Sequence, residues 1–440
     1  MKFTDNIRQL IVRHHLLHDG ERVLVALSGG ADSVALLLVL RDLGYPLEAA
    51  HCHFHLRDEE ANRDASFVEQ LCKRLDVPLH RVDFDTKAVA KVQKVSLEMA
   101  ARDLRYTWFR KLLRERNIRF VAVAHHQEDN TETFFLNLLR GAGLQGLTGM
   151  SVRTTDVIRP LLGVTRQEIE IYLKEKGEAF VVDSTNADTY YRRNKLRQEI
   201  LPLLRQMNPS LDRTLAETMQ RMAEADNIVG EQFEKFRKES VREETFGISV
   251  EVDTLLNSSA PQTYLFLLMK EYGFSSSHIS DIFPKLQGES GIFFTSTTGW
   301  ATLHQGRLIL SPIIEEVPPT PLGESNTTLS AGRTLLIEKC EKVEISRVPE
   351  VATLDADKIQ GELFVRSLQP GDRFHPYGMK GSKLVSDYLT NCHRSRIHKR
   401  AALIVCDAAG PLWLVGERID CRAAISETTT RCLKLILLHK

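Results

Sequence analysis

Several clusters in this chain have residue types and spacings suited to chemistry. The first is S-G-G-A-D-S at residues 28–33, set between two apolar runs. Gly29 and Gly30 remove the side chains that would keep a ligand off the backbone, and a helix beginning near Asp32 would add unpaired N–H groups and a positive dipole end. Such a turn is a phosphate site. Ser28 and Ser33 add hydroxyl donors, and Asp32 is placed to hold a metal ion that neutralises polyphosphate charge. No lysine follows in the G-x-x-x-x-G-K-[ST] pattern and no G-x-G-x-x-G is present, so the familiar P-loop and the dinucleotide fingerprint are both excluded.

His51, His53 and His55 alternate at strand period and so share one face. Neutral imidazoles arranged in this way can converge on zinc, which would make the chain a metal-dependent hydrolase. No carboxylate-plus-histidine set at metal-ligand spacing accompanies them, and the preferred reading is a polar strand end framing a nucleotide base. A third cluster, H-H-Q-E-D-N-T-E-T at residues 125–133, opens a helix. Asp129 as N-cap with Glu132 three residues on is a capping-box pattern. That pattern leaves His125, His126 and Glu128 unexplained. Asp129 and Glu132 are neighbours on the helix surface, and two carboxylates beside a phosphate site suit a cationic substrate or magnesium, with a histidine or carboxylate taking the proton of an attacking amine.

Basic residues cluster twice. Arg192, Arg193, Lys195 and Arg197 sit among Asn186, Asn194, Tyr190 and Tyr191, and eight cations face only Asp372 and Asp387 between Arg366 and Arg400. Patches of this kind bind nucleic-acid phosphate without reading sequence.

The elements that must carry these clusters alternate. Strands are expected near residues 22–27, 46–53, 79–84 and 119–124, with helices after each, which implies a doubly wound parallel sheet with ligands at the carboxyl ends of its strands. A long charged helix begins at Leu211, and Pro-rich residues 313–328 read as a linker. The expected organisation is α/β: residues 1–208 as the parallel-sheet domain, 209–312 as a mostly helical middle domain, the linker, and 329–440 as a small α+β domain. With 440 residues, two or three domains are required. Lys plus Arg and Asp plus Glu number 58 each, which rules out a global basic field. The seven cysteines are odd in number and never spaced C-x-x-C, arguing against a disulfide scaffold or metal cluster and for a reducing cytoplasm. No apolar span suggests export or a membrane.

The first loop is similar to the S-G-G-x-D-S loop of the ATP pyrophosphatases, which split ATP into AMP and pyrophosphate to activate a carbonyl or carboxylate oxygen. Residues 125–143 resemble H-H-x-D-D-x-x-E-T-x-x-x-x-x-L-R-G-x-G, the signature of the tRNA(Ile)-lysidine synthetases, with Glu128 replacing the first Asp. Glu98, Ala101, Arg102, Arg105 and Tyr106 extend the resemblance, as do G-L-T-G-M at 146–150, R-P-L-L at 159–162, residues 183–197 and P-G-D-R-F at 370–374. Leu56 and Arg57 match the family's H-x-N-H-x-L-R, whereas His53 and Phe54 depart from it.

The fold this resemblance implies is of the adenine nucleotide alpha hydrolase kind. The implied reaction adenylates the C2 oxygen of the wobble cytidine in the CAU anticodon of tRNA(Ile), after which the ε-amine of free L-lysine displaces AMP. Codon specificity changes from AUG to AUA. ATP and pyrophosphate would lie on Ser28, Gly29, Gly30, Ala31, Asp32, Ser33, His51 and His53, with Mg²⁺ held by Asp32 through the phosphates. Lysine would lie on Arg105, Asp129 and Glu132. Catalysis would fall to Asp32, His125, Asp129 and Glu132, with His125 the candidate that frees the amine. The tRNA would meet Arg140, Asn186, Arg193, Asn194, Arg197, Arg373, Lys380 and Lys383. A homodimer is compatible with this reading. A tRNA thiolase of the same superfamily is the nearest alternative, but it needs a cysteine set this chain lacks.

Overall fold

Short runs of Val, Ala and Leu recur between amphipathic stretches in the first half of the chain, and the buried runs become parallel strands. The computed structural model describes residues 3–55, 58–182, 192–323, 326–340, 346 and 348–439. Leu56, Arg57, Asn186, Tyr190, Tyr191 and the side chain of Arg192 lie outside what is described. Two compact units result, residues 1–230 and 231–440.

The first unit runs α1 (Phe3–Arg13), β1 (Val23–Ala26), α2 (Ala31–Asp42), β2 (Leu47–His53), α3 (Asp58–Leu75), β3 (Leu79–Asp83), α4 (Thr86–Gln93), α5 (Leu97–Arg116), β4 (Phe120–Ala122), α6 (Gln127–Leu139), β5 (Val157–Ile158), α7 (Arg166–Lys176), α8 (Arg192–Lys195), α9 (Leu201–Met207) and α10 (Leu211–Ser240). The five strands pair in parallel in the order β3-β2-β1-β4-β5. Successive residues point to opposite faces, so each strand feeds two cores. Val23, Val25 and Ala49 pack against Ile7, Leu36, Leu71 and Ile169 from α1, α2, α3 and α7, while Leu24, Ala50 and Val121 pack against Phe109, Leu112 and Leu113 of α5. Both faces being covered explains why the strands read as unbroken apolar runs.

Strand order reverses between β1 and β4, and the loops leaving those two strands flank the crevice that such a reversal opens. Residues 28–33 leave β1 and His125–His126 leave β4. Helix α2 starts after Gly30, which is extended (φ −70°, ψ 160°) and offers no side chain to cap the first amides. Gly29 has φ +95°, and a Cβ there would stand 3.3 Å from Val68 Cγ2.

In the second unit the expected helical middle is only half the answer. Residues 241–312 also form a five-stranded antiparallel sheet, ordered Val241–Glu244, Gly247–Glu251, Arg307–Pro312, Gly299–His304, Phe293–Thr295. Its strands span three to six residues, too short for their alternation to compete with the helical stretches around them. The linker expectation also changes: Val317 and Leu322 are buried in the C-terminal core and Thr320–Pro321 forms an outermost strand. An edge position tolerates a residue without an N–H. Two further antiparallel sheets sandwich that core around Trp413. Among the described residues no cysteine forms a disulfide, and no helix is long and apolar enough to cross a membrane.

Because Gly29 combines positive φ with a close neighbour, Gly29→Ala should lower unfolding free energy by about 1–3 kcal/mol, read from urea denaturation. An unchanged midpoint would show that the loop relaxes freely.

Candidate active site

The serines of the first loop shape it from within. Ser33 Oγ accepts from the amides of Ser28 and Gly29 (3.2 Å each) and donates to the Gly30 carbonyl (2.9 Å). The Gly30 amide donates to Ser28 Oγ at 3.3 Å. His51 Nδ1 donates to the Leu27 carbonyl at 2.9 Å, and Val181 donates its amide to Gly29 at the same distance. The loop is thus fixed on both sides before any phosphate arrives.

Helix α6 begins one turn earlier than the capping-box reading places it. His126 is the N-cap, and Asp129 at the third helical position reaches back to accept the His126 amide at 3.1 Å. This leaves Glu132 outside the cap. The His126 ring lies 2.8 Å from Glu128, 3.4 Å from Asp129 and 3.9 Å from Asp32. Burial opposes a charged imidazole there, but the three carboxylates outweigh it and raise the His126 pKa. Glu128 also accepts the Arg166 amide at 3.0 and 3.1 Å, capping α7, and Arg166 Nη1 pairs with Asp32 at 2.6 Å. Burial pushes the Asp32 carboxyl up, against the downward pull of His126 and Arg166.

The paired carboxylates are occupied by the chain's own cations. Arg193 Nε and Arg197 Nε stand 2.6 and 2.5 Å from Glu132, and their terminal nitrogens lie 2.9 and 3.4 Å from Asp129. Glu132 is fully buried. Next to them, His125 Nδ1 accepts a hydrogen bond from Arg159 Nε at 3.2 Å, which places its single proton on Nε2. Burial, with Arg159, Arg193 and Arg102 nearby, pushes its pKa down to about 4 despite Asp129. His125 is therefore a neutral donor, poorly suited to taking up a proton.

Other expected residues lie elsewhere. Arg105 stacks over the Phe54 ring at 5.2 Å. His53 is buried, and that burial pushes its pKa down. His53, His55 and Asp83 do come together, with Asp83 supplied by the neighbouring strand, 3.5 and 3.1 Å from the two rings. Arg81 Nη2, 3.1 Å from the same carboxylate oxygen, already provides the positive charge that a metal would bring. Burial pushes the Cys52 thiol up to about 12, which removes a thiolate nucleophile from this edge of the sheet. Arg140 is exposed at the end of α6 and Asn194 is half-buried in α8. In the second unit Arg366 forms a bidentate pair with Asp372 and Arg394 pairs with Glu417, so these cations are committed internally. Arg373 and Lys383 sit on a two-stranded ribbon whose tip exposes Lys380, Tyr377 and Met379.

Arg159 and Arg166 belong to the site, yet only Arg159 carried a sequence signal, through R-P-L-L. Nothing in the spacing marked Arg166, because its partner Asp32 is 134 residues away.

A uniquely placed glycine turn, a phosphate-oriented helix start and a carboxylate pair at one strand-order reversal define a class. Residues 1–204 match the PP-loop domain model, and residues 243–313 match the TilS substrate binding domain. The chain is 41% identical over 434 residues to the tRNA(Ile)-lysidine synthase of Bacteroides thetaiotaomicron, covering 97% of this chain and 99% of that one. It is 40% identical over 442 residues to the enzyme of that name from Porphyromonas gingivalis, covering 97% and 96%. The chain belongs to the tRNA(Ile)-lysidine synthase family.

A raised His126 pKa stabilises the fold fully below the ordinary value of 6.5, and that contribution is lost as pH rises through the folded value. His126→Gln should flatten the fall in melting temperature as pH rises above 6.5. An identical profile in the variant would assign the pH dependence to another group.

Proposed function

We propose that this chain binds the CAU-anticodon tRNA(Ile) in the cytoplasm, uses ATP to adenylate the C2 oxygen of its wobble cytidine, and joins free L-lysine to the activated carbon. The observation that carries the reading is the meeting of a phosphate loop and a carboxylate pair in one crevice, joined through His126 to Asp32 and Asp129. The cytidine oxygen attacks the α-phosphorus of ATP, and the bond to the β-phosphate oxygen breaks. The α2 amino end and the His126 ring hold the departing pyrophosphate. Mg²⁺, when bound, neutralises phosphate charge. Asp32 would hold that ion by exchanging its Arg166 partner, since burial and the nearby Asp129 disfavour its charge and Arg166 and His126 now offset them.

The second step needs an amine in its free-base form, against an ordinary pKa of about 10.4. Lysine carries two amines, and the site offers two environments. Asp129 and Glu132 favour an ammonium and suit the α-amino group. On the His125 side, the burial that chiefly holds the imidazole neutral, together with the cationic field of Arg159 and Arg102, acts equally on an amine, and this is where the ε-nitrogen belongs. It attacks C2, AMP leaves with the C–O bonding pair, and the proton passes to solvent or the departing phosphate. In the second unit the ribbon carrying Arg373, Lys380 and Lys383 grips tRNA backbone, with Tyr377 available for stacking.

Incubating the chain with CAU-anticodon tRNA and ATP, with and without L-lysine, tests the reading. Lysine-dependent AMP release is expected, and AMP release with any amino acid would refute the lysine assignment. Asp32→Ala should abolish adenylation and leave tRNA affinity within about twofold, whereas lost tRNA binding would mean Asp32 supports the RNA interface. Lys380→Glu with Lys383→Glu should weaken tRNA binding and lower the salt slope by about 2. An unchanged slope would remove the ribbon from the interface.

A further inference from the structure

Resting on the lysine site proposed above, one feature of the free chain goes beyond it. The carboxylates that would receive lysine already hold Arg193 and Arg197, through contacts of 2.5 to 3.4 Å. Lysine alone is a poor competitor for them. A guanidinium grips a carboxylate with two parallel N–H donors, whereas an ammonium is a single point charge. Glu132 is fully buried, so it must keep a cation at every stage of an exchange.

What could draw the arginines away is another anion of matching geometry, and nucleic-acid phosphate is such a group. Both arginines remain partly open to solvent, with side chains 41% and 39% exposed, while their partner is sealed inside. The two therefore form a boundary between the interior carboxylates and whatever binds outside. The segment carrying them is also irregular. Arg193 lies in the single turn of α8, and Arg197 lies in a π-helical turn, Leu196–Ile200, that joins α8 to α9. A π turn holds one residue more than an α turn in the same span, a local irregularity found often at functional sites. Arg193 and Arg197 are borne on this joint and not on a continuous α-helix.

We propose that Arg193 and Arg197 are an exchangeable counter-ion pair: they neutralise Asp129 and Glu132 in the free chain, transfer to tRNA phosphate when tRNA docks, and so release the carboxylates to the lysine ammonium. Lysine and tRNA then bind with positive coupling, and by reciprocity each tightens the other by the same factor.

Calorimetric titration of L-lysine into the full chain, without ATP and with or without CAU-anticodon tRNA, tests this. For the unaltered chain tRNA should tighten lysine binding by roughly 10-fold or more. Arg197→Gln should bind lysine more tightly in the absence of tRNA, because Glu132 lacks one counter-ion, and the gain from tRNA should shrink. If that variant does not fold, as judged by circular dichroism, Arg193→Lys, which keeps the charge and loses the fork, is expected to shift both quantities in the same directions by less. Lysine binding that is equal with and without tRNA, or weaker in the variant without tRNA, would overturn the exchange while leaving the lysine site intact. An absence of lysine binding in both states would overturn the site itself, and the exchange with it.

Discussion

A parallel sheet places all its carboxyl ends on one edge, and a reversal of strand order is the one point on that edge where the connecting helices part. Here the reversal lies between β1 and β4. Everything chemical in the first unit follows from that constraint, because the loops leaving these two strands are the ones the crevice can use. The phosphate loop comes from β1 and the histidine and carboxylate cluster from β4. They are nearly a hundred residues apart in sequence, yet a single register, Val23 opposite Phe120, brings their ends together.

Charge balance is the second constraint, and it acts locally. Asp32, Glu128, Asp129 and Glu132 converge, and Arg166, His126, Arg193 and Arg197 answer them within ion-pair distance. Leaving a buried carboxylate unpaired costs about 3–5 kcal/mol, so these groups can only trade partners. On the function proposed above, lysine, magnesium and pyrophosphate would bring charges of both signs, and binding them would amount to a reshuffling of counter-ions among fixed positions. The same logic divides the two histidines. His126 touches carboxylates and is driven toward its cation, whereas His125 touches Arg159 and is kept neutral, though the two are adjacent in sequence. The state of His126 is set mainly by Glu128 and Asp129 of its own helix, with Asp32 across the crevice, and that of His125 by its burial and by Arg159 from outside that helix.

This explains what the sequence revealed and what it withheld. The strands, the helices after them and the phosphate turn follow local rules of period and glycine placement, and they lie where those rules put them. Asp129 and Glu132 were recognisable as a helix-surface pair. Their partners were not, because Arg193 and Arg197 are more than 60 residues away and their basic run reads equally well as a solvated or RNA-facing surface. The histidine triplet shows the converse. No carboxylate-plus-histidine set at metal-ligand spacing accompanies it along the chain, and Asp83 joins it only through the pairing of β2 with β3, bringing Arg81 as well. In the C-terminal part, a charge count overstated the RNA-facing patch, since Arg366 and Arg394 answer Asp372 and Glu417. Counting along a sequence cannot tell a committed cation from an available one.

Glu128 illustrates how far a single departure from the family pattern can be understood physically. Its carboxylate meets the His126 ring and the Arg166 amide together, and so bridges the starts of α6 and α7. An aspartate has one methylene less, and at this backbone position it would reach less far toward α7. The consequence extends to the phosphate loop, because the residue whose amide Glu128 caps is the residue whose guanidinium pairs with Asp32. Glu128 therefore helps to set where the Asp32 carboxylate points, acting through Arg166 without touching the loop. A substitution that looks conservative in charge is, in this setting, a choice about which two helices are held together.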